Sequence, residues 1–163
     1  MAIVGYMGSG KTTVGRSLAR KLAWEFVDLD RAIARDTGRT IPEIFSSCGE
    51  ERFRDLEHRA LVNTLEGARG RVVACGGGIV VRPENRERLG EVATVFLRED
   101  LDVLYRRTRG PGRPLRAAGR EEFERRYAER LPFYEEVAAL EVRVRSRRPQ
   151  EVAEEIALWL RDA

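Results

Sequence analysis

The chain has 163 residues, 42% of them hydrophobic and 35% charged, with a formal net charge of +3, which describes one globular domain large enough to bury a core. Of the 30 basic residues 28 are arginine, but they fall in ones and twos among Asp and Glu rather than in a block, which argues against a nucleic-acid partner. No apolar run approaches the ~18 residues of a membrane span and no signal peptide precedes the first motif, so a cytoplasmic protein is expected.

The first predicted element is a strand, Ala2-Ile3-Val4, leading into Gly5-Tyr6-Met7-Gly8-Ser9-Gly10-Lys11-Thr12. This is the G-x-x-x-x-G-K-[ST] phosphate loop, whose glycines bring backbone N–H groups against phosphate oxygens at the start of a helix. Gly8, Ser9, Gly10, Lys11, Thr12 and Thr13 are the expected ATP contacts. Lys11 would reach the β- and γ-phosphates and the Thr12 hydroxyl would ligate Mg²⁺. Met1 stands only four residues before Gly5, so the first and central strand is expected to be short, and a few residues could be missing before it.

A helix is predicted through Leu22, then a strand over Glu25–Leu29 ending at Asp28 and Asp30. Two carboxylates at a strand end can divide labour, one holding Mg²⁺ through water and one facing a substrate hydroxyl; the alternative is that Asp30 caps the next helix. After a turn at Thr37–Thr40, a helical stretch runs from Ile41 to Leu65, with a break expected near Cys48-Gly49. Arg71–Cys75 reads as a buried strand entering Gly76-Gly77-Gly78. Pro83 starts a helix ending near Gly90, and Ala93–Leu97 is another buried strand. A helix capped by Asp100 is read through Leu104, and Thr108 to about Gly119, rich in Gly, Pro and Arg, reads as a mobile loop. Beyond it come a helix over Glu121–Arg130, a corner at Pro132, a strand over Glu141–Val144 and an amphipathic helix from Pro149. Strands alternating with helices imply a parallel sheet with right-handed crossovers, whose strand ends should converge on one cleft. Cys48 and Cys75 are expected to be small buried residues, and His58 a surface residue.

Taken together, Gly5–Thr12, Asp28-Leu29-Asp30, Gly49-Glu50-Glu51-Arg52-Phe53-Arg54 with Glu57, Gly76–Gly78, Arg113-Pro114-Leu115 and Arg130-Leu131-Pro132-Phe133-Tyr134 resemble the shikimate kinases, in family order and over nearly the whole chain. The resemblance implies a single α/β domain over 1–163, a three-layer P-loop kinase fold of the nucleoside-monophosphate-kinase-like group. Its five-stranded parallel sheet would run in the order 2-3-1-4-5, with helices on both faces, a substrate-binding part over about 30–65 and a lid over about 109–119. It implies transfer of the γ-phosphoryl of ATP to the 3-hydroxyl of shikimate, with Mg²⁺, on the route to chorismate and the aromatic amino acids, by a monomer.

Site roles follow from the same resemblance. Asp30 would take the hydroxyl proton or its hydrogen bond. Arg54 and Arg130 would clamp the shikimate carboxylate as planar guanidinium forks, with Gly77 adding a backbone contact and Phe45 and Phe53 an apolar wall. Lys11 and Arg113 would stabilise the transferring phosphoryl group, and Thr12 with Asp28 would serve Mg²⁺. Arg107 would cover the adenine opposite Arg147 and Pro149. The lid is one residue shorter than in some relatives between Arg107 and Arg113, which bears on the Arg107 assignment. Rival readings are a gluconate-type kinase, a nucleic-acid-dependent ATPase and a GTP switch. The last is excluded, because the guanine-reading Asn-Lys-x-Asp pattern cannot occur with lysine only at 11 and 21.

Overall fold

A computed structural model describes residues 1–67, 69–108, 119–145 and 147–162. Five strands, β1 (Ala2–Val4), β2 (Glu25–Asp28), β3 (Arg71–Ala74), β4 (Thr94–Arg98) and β5 (Leu140–Arg143), form one sheet in the order β2-β3-β1-β4-β5. Every pairing is parallel. The helices among the described residues are α1 (Lys11–Leu22), α2 (Leu29–Thr37), α3 (Ile41–Leu65), α4 (Pro83–Gly90), α5 (Leu101–Arg107), α6 (Arg120–Val137) and α7 (Pro149–Asp162). The fold class, strand order and two-faced helix cover agree with the sequence reading.

Alternation along the strands divides the core in two. Ala2, Val4, Val73 and Phe96 point to one face, where Leu61, Leu89, Phe123 and Tyr134 cover them. Ile3, Val72, Val95 and Val142 point to the other, against Val14 and Leu18 of α1 and Val152 and Ile156 of α7. A strand buried on both faces needs apolar residues in succession, which is why Ala2-Ile3-Val4 and Val95-Phe96-Leu97 are continuous runs. The three-residue β1 is central and is paired on both edges. The chain's amino group extends that ladder by donating to the Arg71 carbonyl at 3.0 Å, and the Met1 carbonyl accepts from the Val73 amide at 3.0 Å.

A smaller cluster, Ile33, Ile44 and Phe53, joins α2 to α3 at the side of the sheet. The Thr40 hydroxyl accepts from the Glu43 amide while the Glu43 carboxylate accepts from the Thr40 amide, a capping box that starts α3. Inside α3, Gly49 adopts φ 78°, ψ 172°, so the expected break falls there.

Several local expectations are corrected. Leu29 leaves the strand and opens α2, a helix the turn at Thr37–Thr40 had obscured. α5 continues past Leu104 to Arg107. Pro132 does not turn the chain, because α6 runs through it to Val137. A proline inside a helix costs roughly 3 kcal/mol, and the continuation offsets it by burying Tyr134 and Val137 on the face that carries Arg130. Cys75 is buried, but Cys48 is exposed beside the break at Gly49, and both are free thiols. His58 is half-buried, its Nδ1 hydrogen-bonded to Asn85 Oδ1 at 2.8 Å.

Candidate active site

At the carboxyl ends of the strands lies a cavity of about 870 Å³. Of the residues named from sequence, Gly8 to Thr13, Asp28, Asp30, Phe45, Phe53, Arg54, Gly77, Arg107, Arg130, Arg147 and Pro149 all border it. Arg113, and the lid segment 109–118, lie outside the described residues.

The nucleotide end is built on the turn from β1 into α1. Gly10 takes φ 94°, which lets the loop double back and aim the first amides of α1 into the cavity. The Lys11 ammonium lies across the same loop, donating to the Gly5 and Tyr6 carbonyls at 2.8 and 2.9 Å. The Thr12 hydroxyl donates to Asp28 Oδ2 at 2.8 Å. Asp28 also caps α2 by accepting from the Arg31 amide at 3.3 Å. The cap is therefore Asp28, which leaves Asp30 in the first turn with its carboxylate toward the cavity.

Thr12 and Asp28 form a hard-oxygen pair beside the phosphate loop. Among the described residues no group of three or more His, Cys, Asp or Glu is placed to hold a metal ion. Two protein oxygens suit Mg²⁺, which keeps most of its waters and takes the rest of its ligands from phosphate.

Burial raises the Asp30 carboxyl above the ordinary carboxylate range, and the Asp28 charge raises it further. Arg54, 6% exposed, donates from Nη1 to Glu57 at 2.7 Å and from Nη2 to Glu50 at 2.9 Å. Its guanidinium stands 5.3 Å from the Phe53 ring centroid, and Phe53 packs on Phe45 at 4.7 Å. Arg130, 7% exposed, donates to the Gly77 carbonyl at 3.3 Å and lies over the Tyr6 ring. Among the described residues Arg130 has no carboxylate within salt-bridge distance; a carbonyl and a π-face hold its desolvated guanidinium, with the Glu50 and Glu57 charges acting on it from farther off.

The triple glycine is where these parts meet. A Cβ on Gly76 would lie 2.7 Å from Glu57 Oε1 and 2.9 Å from Asp30 Oδ1. One on Gly78 would lie 2.2 Å from Arg54 Nη1. The Gly77 carbonyl holds Arg130. Three successive residues thus sit against groups from α2, α3 and α6, and the missing side chains make that approach possible.

On the other rim, Arg107 Nη1 lies 3.5 Å from the Gly8 carbonyl and 3.1 Å from Glu99 Oε2. Arg147 pairs with Glu155 at 2.6 Å. Two residues had no role in the sequence reading, Glu99 and Tyr134, the latter quoted there only as part of its motif. Glu99, buried just past β4, anchors Arg107; its place at a strand's carboxyl end was the available signal. Tyr134 follows Arg130 by four residues, the spacing that puts both on one helix face, and its hydroxyl donates to the Gly77 carbonyl.

Comparison with known proteins agrees with this geometry. A family model described as Shikimate kinase matches residues 7–161. A shikimate kinase of Thermodesulfovibrio yellowstonii is 38% identical over 160 residues, covering 96% of this chain and 91% of the relative, and one of Marinomonas sp. is 41% identical, covering 94% and 87%. Among solved structures, shikimate kinase from Acinetobacter baumannii in complex with shikimate superposes with a TM-score of 0.94 at 34% identity, over 99% of this chain and 92% of that one. The Aquifex aeolicus enzyme gives 0.85 at 33% identity, over 99% and 96%. Sequence, fold and cavity lead to one assignment: the chain belongs to the shikimate kinase family.

Proposed function

We propose that the chain transfers the γ-phosphoryl of ATP to the 3-hydroxyl of shikimate, giving shikimate 3-phosphate and ADP in aromatic amino acid biosynthesis. The observation that carries this reading is one cavity with a phosphate loop at one end and two nearly buried arginines at the other, with Asp30 against the same glycine loop as both. A desolvated guanidinium such as Arg130 favours a small carboxylate that can take its planar fork. Shikimate carries such a carboxylate on a ring that the Phe45 and Phe53 wall can cover.

In this reading Arg54 and Arg130 hold the carboxylate, and the ring hydroxyls fall toward Gly76 and Asp30. Asp30, once ionised, accepts the proton of the attacking hydroxyl or orients it. Lys11 moves from the loop carbonyls onto the phosphate oxygens and stabilises the charge that spreads over them in the transition state. Thr12 and Asp28, the latter through water, would hold Mg²⁺, which neutralises β- and γ-phosphate charge when bound. Arg107, Arg147 and Pro149 border the nucleotide rim and are assigned to the adenine. Arg113 and the lid over 109–119 are assigned by motif to phosphoryl transfer and water exclusion. A cytoplasmic monomer working on ATP and shikimate, without nucleic acid or membrane, completes the proposal. Among the described residues no helix is long and apolar enough to cross a membrane.

A coupled ADP-release assay with ATP and Mg²⁺, run with shikimate, gluconate or no acceptor, tests the proposal. Stimulation by shikimate alone is expected; equal stimulation by gluconate, or none by shikimate from a folded sample, would refute it. Arg54→Ala and Arg130→Ala should each raise the KM for shikimate, and wild-type KM in both would remove the carboxylate clamp.

A further inference from the structure

Tyr134 is fully buried in α6, outside the residues that border the cavity, yet it is tied to the cavity's glycine loop. Its ring stacks on Phe96 of β4, centroids 5.2 Å apart and planes 18° from parallel, so sheet and helix hold it from both sides. The hydroxyl emerges from that apolar sandwich and donates to the Gly77 carbonyl. Burial raises the phenol's pKa, with the nearby Arg130 charge only partly opposing it, so the group remains a donor. Four residues earlier on the same face, Arg130 Nη1 reaches the same oxygen at 3.3 Å.

A carbonyl oxygen has two lone pairs and can accept both donors. The two differ in stiffness: a stacked phenol has little freedom, while an arginine loses much rotamer entropy wherever it is fixed. The rigid donor therefore sets where the oxygen lies, and the flexible one settles against it. We infer that Tyr134 is a positioning residue for the acceptor: by fixing the Gly77 carbonyl on the α6 side, it places both the middle of the glycine loop and the surface against which Arg130 rests. This builds on the reading of Arg130 as a carboxylate clamp. A purely structural role, satisfying a buried hydroxyl, would make no distinction between the two substrates.

Tyr134→Phe keeps the ring and its stacking and removes only the hydroxyl. The expected result is a rise of about fivefold in shikimate KM and in shikimate Kd, with kcat and the KM for ATP within about twofold of wild type. Val137→Ala, three residues on in the same buried face, serves as the stability control and should lower Tm without moving shikimate KM. In an Arg130→Ala background, Tyr134→Phe should add less than it does alone, because the part of its effect that passes through Arg130 is lost with that side chain. Wild-type shikimate KM in Tyr134→Phe, beside a weakened Arg130→Ala, overturns the inference and leaves the clamp standing. A wild-type KM in Arg130→Ala removes the clamp and the inference with it. An equal KM rise in Val137→Ala also overturns the inference, since general loosening of α6 would then account for the effect.

Discussion

Gly78→Ala probes how tightly the acceptor end is assembled. Gly78 lies at φ −103°, ψ 2°, a conformation open to residues with a side chain, so the substitution adds little backbone strain. The new methyl, however, meets the Arg54 guanidinium: its ideal position is 2.2 Å from Nη1, 2.4 Å from Nη2 and 2.5 Å from Cζ. Carbon needs about 3.5 Å from its neighbours, so the guanidinium must retreat by about 1 Å. Retreat stretches the 2.7 Å bond to Glu57 and the 2.9 Å bond to Glu50, the contacts that aim Arg54. Because the clashing group is the end of a flexible side chain, the cost should appear in acceptor recognition more than in stability. A misplacement of this size is worth up to about 10²-fold in activity. We predict a fall of roughly ten- to a hundredfold in kcat/KM for shikimate, with the KM for ATP unchanged. Initial rates by coupled ADP release, varying each substrate at saturating levels of the other, read both parameters. Gly90→Ala, whose Cβ would meet nothing within 4 Å, should leave them at wild type. Wild-type kcat/KM for shikimate in Gly78→Ala would show that Arg54 is not held where acceptor binding needs it.

Asp30→Asn should cut kcat by roughly 10²-fold with nucleotide affinity nearly intact, and an unchanged kcat would end its role as base or orienting acceptor. The same variant should be more stable than wild type at neutral pH. Burial and Asp28 raise the folded-state pKa of Asp30, so its stabilising contribution is present below the ordinary value and lost as pH rises through the raised one. Thermal melts across pH should show the two proteins converging in acid and separating upward; a constant difference would contradict the shift. Because the carboxylate must be ionised to act and burial is the largest cause of its raised pKa, the acid limb of kcat/KM should lie above the ordinary carboxylate range. A pH profile whose acid limb falls in the ordinary carboxylate range would count against the shift. Gly49→Ala, at φ 78° and ψ 172° with open space around its Cβ, isolates a backbone effect. It should cost about 1–3 kcal/mol by denaturant unfolding, and a neutral result would mean α3 tolerates a different break.

The phosphate loop, the acidic pair and the triple glycine were legible because each is contiguous, so its chemistry can be read from neighbours in the chain. The buried strands were legible for a similar reason: Val95-Phe96-Leu97 needs apolar residues on both faces, and the run records that. Arg54 and Arg130 could be lifted from a background of 28 arginines only by family resemblance. Nothing local separates a buried guanidinium from a solvated one.

Residue spacing and backbone preference by themselves determined the alternation of strands with helices apart from α2, the break at Gly49, the helix start at Pro83 and the loop that receives phosphate. These are choices a short segment makes with its own φ, ψ and hydrogen bonds. Tertiary structure alone decided that α6 continues through Pro132, since burial of Tyr134 and Val137 against the sheet outweighs a local penalty. It also decided that Asp28 rather than Asp30 caps α2, that Cys48 is exposed, and that Glu99 stands behind Arg107. The convergence of Asp30, Arg54, Arg130 and Tyr134 on Gly76–Gly78 belongs to the same class. Such facts depend on which distant surfaces the sheet brings into contact, and desolvation and shared hydrogen-bond acceptors exist only once those surfaces meet.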